Sequence, residues 1–238
     1  MPRPQPLILL PPSEGKAAGG DGPPWRAGAS AEPALDRHRR AVLRAASSAG
    51  AVRRRSGTLP AIERYTGVLY RELDWASLPA AARRRADARV RIVSGLWGWS
   101  APTDPIPEYR LKMSARLDEL GRISSWWRPR LAPVLAERAA GAVVWDLLPQ
   151  EHAAAMDWSA AEPARRATVR FVDAQGRTVS HWNKLLKGAL VRWLLTAQPA
   201  GPEVLEGFEH PLGYRFAPEA SDLTGDVAAV VLRESAGS

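Results

Sequence analysis

Apolar residues along this chain alternate between short unbroken runs and longer stretches that carry one apolar residue every three or four positions. The runs at 7–10, 90–93 and 142–148 are too short for helices and are rich in Leu and Val, so they read as strands buried on both faces. The 90–93 run is β-branched, and branched side chains lose rotamer freedom against a helical turn. Helical spacing appears at 32–48, where Leu35, His38, Val42, Leu43 and Ala46 share a face and Arg37, Arg39, Arg40 and Arg44 fall largely on the other. Residues 79–88 predict a short basic helix. A helix is expected from Glu108 onward with Leu111, Ala115 and Leu117 inward. Another, capped by Ser124-Ser125, has Pro129 near its first turn, Leu131, Val134 and Leu135 facing the core, and a kink at Pro133. Two alternating segments, 168–173 and 178–182, flank Ala174-Gln175-Gly176-Arg177 and predict a hairpin. The helix that follows has two faces. Lys184, Lys187, Gly188 and Val191 lie on one, with Arg192 at its margin, and Trp182, Leu186, Ala189, Leu190 and Trp193 lie on the core side. Two closing strands, 213–216 and 226–233, complete the chain, the second apolar enough to be internal. Strands and helices mixed in this way predict an α+β fold, a single compact domain over 1–238 with a mixed β-sheet and packed helices. A flexible start (1–6), a mobile Gly/Pro-rich loop (17–31) and a flexible tail (234–238) are expected around it.

Composition narrows the chemistry. With 238 residues and 45% apolar content the chain can bury a substantial core. It has no cysteine, which excludes disulfides, thiol nucleophiles and cysteine-ligated metals. The absence of a signal-like segment or long apolar run makes a cytoplasmic protein the expectation, with no membrane partner. A net charge of +8 favours an anionic partner, whether nucleic acid or a phosphorylated small molecule. Of 33 basic residues only Lys16, Lys112, Lys184 and Lys187 are lysine. Lysine's pKa falls readily on burial, so it can do chemistry that arginine cannot. No spacing of His and carboxylates forms a metal-ligand set, so no metal or cofactor is expected.

Candidate site residues gather beyond the predicted strands. After 90–93 comes a glycine- and proline-stiffened loop holding Ser94, Thr103, Asp104, Tyr109 and Arg110. After 7–10 comes Pro11-Pro12-Ser13-Glu14-Gly15-Lys16. It is not a P-loop, because Leu10 occupies the required glycine position and Ala17 follows the lysine, but it places Lys16 where open sheets bind ligands. Glu151 lies past the third run, and Asp146 within that run must find hydrogen-bonding partners. Tyr65-Thr66-Gly67 offers two hydroxyls beside a flexible glycine. On the last helix Lys184, next to the chain's one asparagine, leads a polar face with Lys187, Gly188 and Arg192.

Ser94-Gly-Leu-Trp-Gly98, the Pro-x-Asp at 102–104, and Tyr109-Arg-Leu-x-Met-x-x-Arg-Leu117 together resemble the signature of the YaaA family of bacterial peroxide-stress proteins. Tyr65-Thr66-Gly67, Trp127, Glu151, Phe171, Ser180, Lys184, Gly188, Arg192, Gly207-Phe208 and Gly213-Tyr214 fall in the same order, so the resemblance spans nearly the whole chain. It departs at the opening, where family members more often place the lysine at the position of Glu14. The resemblance implies a compact fold with a positively charged cleft and a helix-hairpin-helix-like element near the Arg53-Arg54-Arg55 run. It also implies a protein of the oxidative-stress response that binds DNA non-specifically through backbone contacts and limits damage by iron and peroxide. The alternative is an enzyme acting on an anionic, nucleotide-like or phosphorylated substrate, with Lys184, Ser94, Tyr65 and Glu151 catalytic. Lys16, Thr66, Asp104, Tyr109, Arg110, Lys187, Gly188 and Arg192 would then bind the substrate.

Overall fold

A computed structural model of the chain describes residues 4–52, 57–179 and 182–235. The strands are β1 (Leu7–Leu10), β2 (Leu59–Pro60), β3 (Val90–Ser94), β4 (Gly98–Ser100), β5 (Pro105–Ile106), β6 (Arg116–Leu117), β7 (Gly121–Arg122), β8 (Val143–Asp146), β9 (Arg165–Val172), β10 (Tyr214–Phe216) and β11 (Val227–Glu234). The helices are α1 (Asp36–Ser48), α2 (Ala61–Arg64), α3 (Val68–Leu73), α4 (Ala80–Arg89), α5 (Ile123–Ala139), α6 (Gln150–Ala153) and α7 (Asn183–Ala197). Seven strands form one mixed sheet in the order β10-β11-β9-β8-β1-β3-β4, and β2 with β5 and β6 with β7 make two small ladders. The fold is α+β, as expected.

The inner five strands are parallel, and β4 and β10 join antiparallel at the edges. Every residue of β1 and β3 is buried, which explains why both read as unbroken apolar runs. From β1 the chain crosses to β3, then returns over β1 to β8 and continues outward to β9 and β11. This reversal places a switch point between β1 and β8, where sheets wound this way leave a crevice at their carboxyl edge. Helix α7 runs from that edge to the opposite one. Lys187 in its second turn bonds to Leu147 just past β8, whereas Leu194 borders an amino-edge cavity of about 310 Å³ with Ile8, Arg89 and Val143.

Several expectations are corrected. No helix begins at Glu108. Tyr109, Leu111 and Met113 are buried while Arg110 and Lys112 are exposed, a two-residue alternation, and Tyr109 pairs with Val52. The first N–H groups of α5 are taken by main-chain oxygens, Ile123 to Ala115 at 2.9 Å and Ser124 to Met113 at 3.0 Å. The helix therefore starts at Ile123 without a serine cap and carries both prolines inside. The hairpin beyond β9 keeps its turn, and among the described residues its second arm bridges Val172 at Thr178 and donates from the Val179 N–H to the Phe171 carbonyl at 3.0 Å. β8 ends opposite Thr168, so the arm meets only the last residues of β9; Ser180 lies outside the described residues, as do Arg53, Arg54 and Arg55. Arg39, expected on the solvent face of α1, is fully buried. It pairs with Asp36 at 2.8 Å and donates to the carbonyls of Glu32, Trp97 and Trp99. Trp182, expected in the core, is 42% exposed at the start of α7. The 17–31 segment is held by Ala17 to Arg64, by a Gly22–Thr58 bridge, and by Trp25, which meets Trp97 edge-on. Among the described residues no helix is long and apolar enough to cross a membrane.

Candidate functional site

Pro11 and Pro12 carry the chain beyond the sheet before it turns at Ser13. The returning residues zip against Tyr65-Thr66-Gly67. Lys16 bridges Tyr65, the Thr66 N–H donates to the Gly15 carbonyl at 3.2 Å, and the Ala17 N–H donates to that of Arg64 at 2.9 Å. The approach requires glycine, since a Cβ on Gly67 would come within 2.6 Å of the Ser13 Cβ. Tyr70 in α3 fixes the other side, its hydroxyl donating to the Pro11 carbonyl at 2.7 Å.

Three hydroxyls meet beneath this turn. Those of Tyr65 and Tyr109 are 2.7 Å apart, and Ser94, at the end of β3, lies close enough to pull both their pKa values down against burial. All three residues are buried. Burial drives the Tyr65 phenol well above its ordinary pKa and Tyr109 up to about 12, so both remain neutral hydrogen-bonding groups. The Lys16 ammonium lies 4.4 Å from the centre of the Tyr109 ring and 5.7 Å from that of Tyr65, and donates to the Ser13 carbonyl at 3.0 Å. Burial lowers its pKa to about 8. Arg110 and Arg64 push it the same way and Glu14 opposes them. The result is a half-buried amine with an aromatic face beneath it and fixed positive charge around it.

The turn after β3 is clamped from three directions. Trp127 donates to the Gly95 carbonyl at 2.8 Å, Arg39 holds the carbonyls of Trp97 and Trp99, and a Cβ on Gly95 would sit 2.8 Å from the Lys112 carbonyl oxygen. The signature motif therefore packs as a rigid floor. At the rim, Lys112 pairs loosely with Glu14 at 3.8 Å. Glu151 accepts from the Ser114 hydroxyl at 2.7 Å and its N–H at 2.9 Å, bonds that hold its pKa below the usual carboxylate value.

The remaining candidates divide. Thr66 lies in the zipped segment, where its hydroxyl would be 3.0 Å from a Cβ on Gly15. Arg110 is exposed beside Lys16, close enough to depress its pKa. Lys187 is half-buried and donates to the Leu147 carbonyl at 2.8 Å; Lys184 is exposed in the first turn of α7. Gly188 faces α3, not a cleft, and Arg192 donates to the Leu73 and Asp74 carbonyls at the end of that helix, both at 3.0 Å. Asp104 is a buried brace, accepting from Ala31 at 2.7 Å and Ala101 at 3.0 Å. Asp146 finds its partner in Arg166 at 2.6 Å. Arg64 was not singled out from sequence; it is fully buried and donates to the carbonyls of Ala17, Gly57 and Ile106. Its adjacency to Tyr65-Thr66-Gly67 was the available signal. Among the described residues no three His, Asp or Glu side chains are grouped as a metal site.

The arrangement can hold an anion against Lys16 and Arg110, or use Lys16 as a base or nucleophile once it is deprotonated. Comparison with known proteins identifies the family. A UPF0246 protein of Streptomyces coelicolor is 41% identical over 241 residues, covering 90% of this chain and 93% of that protein. UPF0246 proteins of Bacteroides thetaiotaomicron and Corynebacterium glutamicum are each 32% identical, covering 69% and 81% of this chain and 66% and 86% of their own lengths. The family profile described as peroxide stress protein YaaA matches residues 35–220, which include the clamped floor, both site tyrosines and α7. On that match and the relatives' identity, the chain belongs to the YaaA family of peroxide-stress proteins.

Proposed function

We propose that this protein acts in the cytoplasm during peroxide stress by gripping the phosphate backbone of DNA at the carboxyl edge of its sheet. DNA occupied in this way is shielded from iron- and peroxide-driven damage. The observation that carries the reading is the crowding of positive charge there. Lys16 and Arg110 lie close together with Arg64 buried behind them; burial first, and then the two arginines against the opposing pull of Glu14, depress the lysine's pKa, and an incoming phosphate would relieve the repulsion from the arginines. The contacts would be to the backbone, without reading bases. The test is duplex binding over a salt series for wild type, Lys16→Arg, Lys16→Ala and Arg110→Ala. Log affinity should fall linearly with log salt, with a slope reduced by about one for each lost phosphate contact. Lys16→Arg should keep most of the affinity and Lys16→Ala should not. Salt-independent binding, or variants indistinguishable from wild type, would overturn the reading.

A second reading, an enzyme for a small anionic substrate, is favoured by one specific observation: Lys16 is half-buried on a tyrosine face beside the joined hydroxyls of Tyr65 and Tyr109. In that case Lys16→Arg abolishes turnover while preserving charge.

A further inference from the structure

We propose that Lys16 is a carbonyl-reactive amine that captures phosphate-bearing aldehydes as an iminium ion, resting on the reading above that this edge accepts phosphate. The deoxyribose aldehyde of an abasic site in DNA and a free sugar phosphate present the same chemistry. Geometry separates Lys16 from the other lysines. Lys112 is exposed and paired with Glu14, Lys184 is exposed, and Lys187, which like Lys16 is half-buried and donates to a main-chain carbonyl, has no aromatic ring under its nitrogen among the described residues. Lys16 alone combines partial burial, an aromatic face 4.4 Å beneath its nitrogen, and a place at a strand end beside Arg110, whose guanidinium can hold the ligand's phosphate.

In the step, the Nζ lone pair adds to the carbonyl carbon. A C–N bond forms as the C=O π bond breaks, and the oxygen leaves as water with one proton from the amine and one from solvent. The iminium keeps the unit positive charge that the ammonium carried, in the same place over the Tyr109 ring, so the cation–π contact persists in the product. No oxidant or reductant enters. With a pKa of about 8, Lys16 is uncharged in about a tenth of molecules at pH 7, against about three in ten thousand for an ordinary lysine. Its lower intrinsic nucleophilicity takes back part of that advantage, leaving on the order of tenfold.

The experiment traps the iminium with sodium cyanoborohydride. Wild type and Lys16→Arg are incubated with a duplex carrying one abasic site, with the intact duplex, or with deoxyribose 5-phosphate, and adducts are mapped by peptide mass spectrometry. The expected result is an aldehyde-dependent adduct on Lys16 exceeding those on Lys112 and Lys184 by on the order of tenfold, and its loss in Lys16→Arg. Adducts spread evenly over the lysines, or no excess at Lys16 with either aldehyde, would overturn the proposal even if the intact duplex binds. A Lys16 adduct with deoxyribose 5-phosphate but no binding of the intact duplex would uphold the amine chemistry and remove the DNA reading. Because the map is made on wild type, the outcome does not depend on the variant folding.

Discussion

Gly188→Ala gives a measurement whose sign depends on where the last helix points. Were Gly188 facing an open cleft, alanine would stabilise the helix by about 1 kcal/mol, the usual difference in helix propensity. Instead, a Cβ there would lie 2.2 Å from the Leu69 carbonyl oxygen and 2.9 Å from the Glu72 Cβ. Ordinary contact begins near 3.4 Å, so α3 must retreat by roughly 1 Å against a packed core. That helix buries Leu69, Tyr70 and Leu73 and is tied at its end by Arg192. Overpacking of this kind costs about 1–3 kcal/mol, and a Cβ driven into a main-chain carbonyl, which cannot swing aside, belongs at the upper end. Subtracting the propensity gain leaves a net loss of about 2 kcal/mol, equivalent to a Tm lower by roughly 4–8 °C in a chain of this size. Urea and thermal unfolding of wild type and variant measure it. The retreat of α3 also draws the Tyr70 hydroxyl from Pro11, so ligand affinity at Lys16 should fall with stability although Gly188 touches no ligand. A variant as stable as wild type, or more stable, would refute the packing of α7 on α3.

Arg39→Ala should destabilise by about 3–5 kcal/mol, because it strands the Asp36 carboxylate in the interior and frees the carbonyls of Trp97 and Trp99; the denaturant midpoint reports this. Lys16 is surrounded by Glu14, Arg64, Arg110 and the two tyrosines, and its pKa is lower folded, about 8, than unfolded, 10.5. The unfolded chain therefore holds more protons between those values, and stability gains a contribution as pH rises from about 8 to 10.5. Subtracting the pH–stability curve of Lys16→Met should isolate that rise, and parallel curves would count against it. Glu151, its pKa depressed by Ser114, contributes stability at neutral pH that is lost as pH falls through its folded pKa. Glu151→Gln should therefore lower the urea midpoint at pH 7 and match wild type in strong acid.

The strands at the centre of the sheet were legible because burial on both faces leaves an unbroken apolar run, as in Leu7-Ile8-Leu9-Leu10. The segment from Glu108 was misread because Leu111, Ala115 and Leu117 fit a helical stripe, whereas the fold uses the alternation of Tyr109, Leu111 and Met113 to seal a loop. Local pattern supports both, and tertiary main-chain bonds decide between them, among them the Arg110 N–H to the Ala51 carbonyl at 2.7 Å and the Ser124 N–H to the Met113 carbonyl at 3.0 Å. The site was legible as a set of residue types beyond strand ends. Which lysine is set among aromatics was not, because Lys16 meets Tyr65 and Tyr109 only after the chain has crossed the sheet and returned. The asparagine beside Lys184 pointed to a helix end that stays in solvent, and no sequence periodicity shows that Arg39 turns inward to brace a tryptophan-bearing turn.

The antiparallel strands at the two margins bear on how the protein behaves when crowded. A parallel sheet left open at its flank offers rows of unpaired N–H and C=O groups on which another chain can build. Here one flank ends in a three-residue strand, β4, wholly buried and backed by Trp127 against Gly98. The other ends in an equally short β10, whose exposed Arg215 pairs with Glu209 where that residue bridges back onto it. Neither flank is long enough to template a visiting strand. A sheet with margins this short offers unfolded neighbours little on which to build.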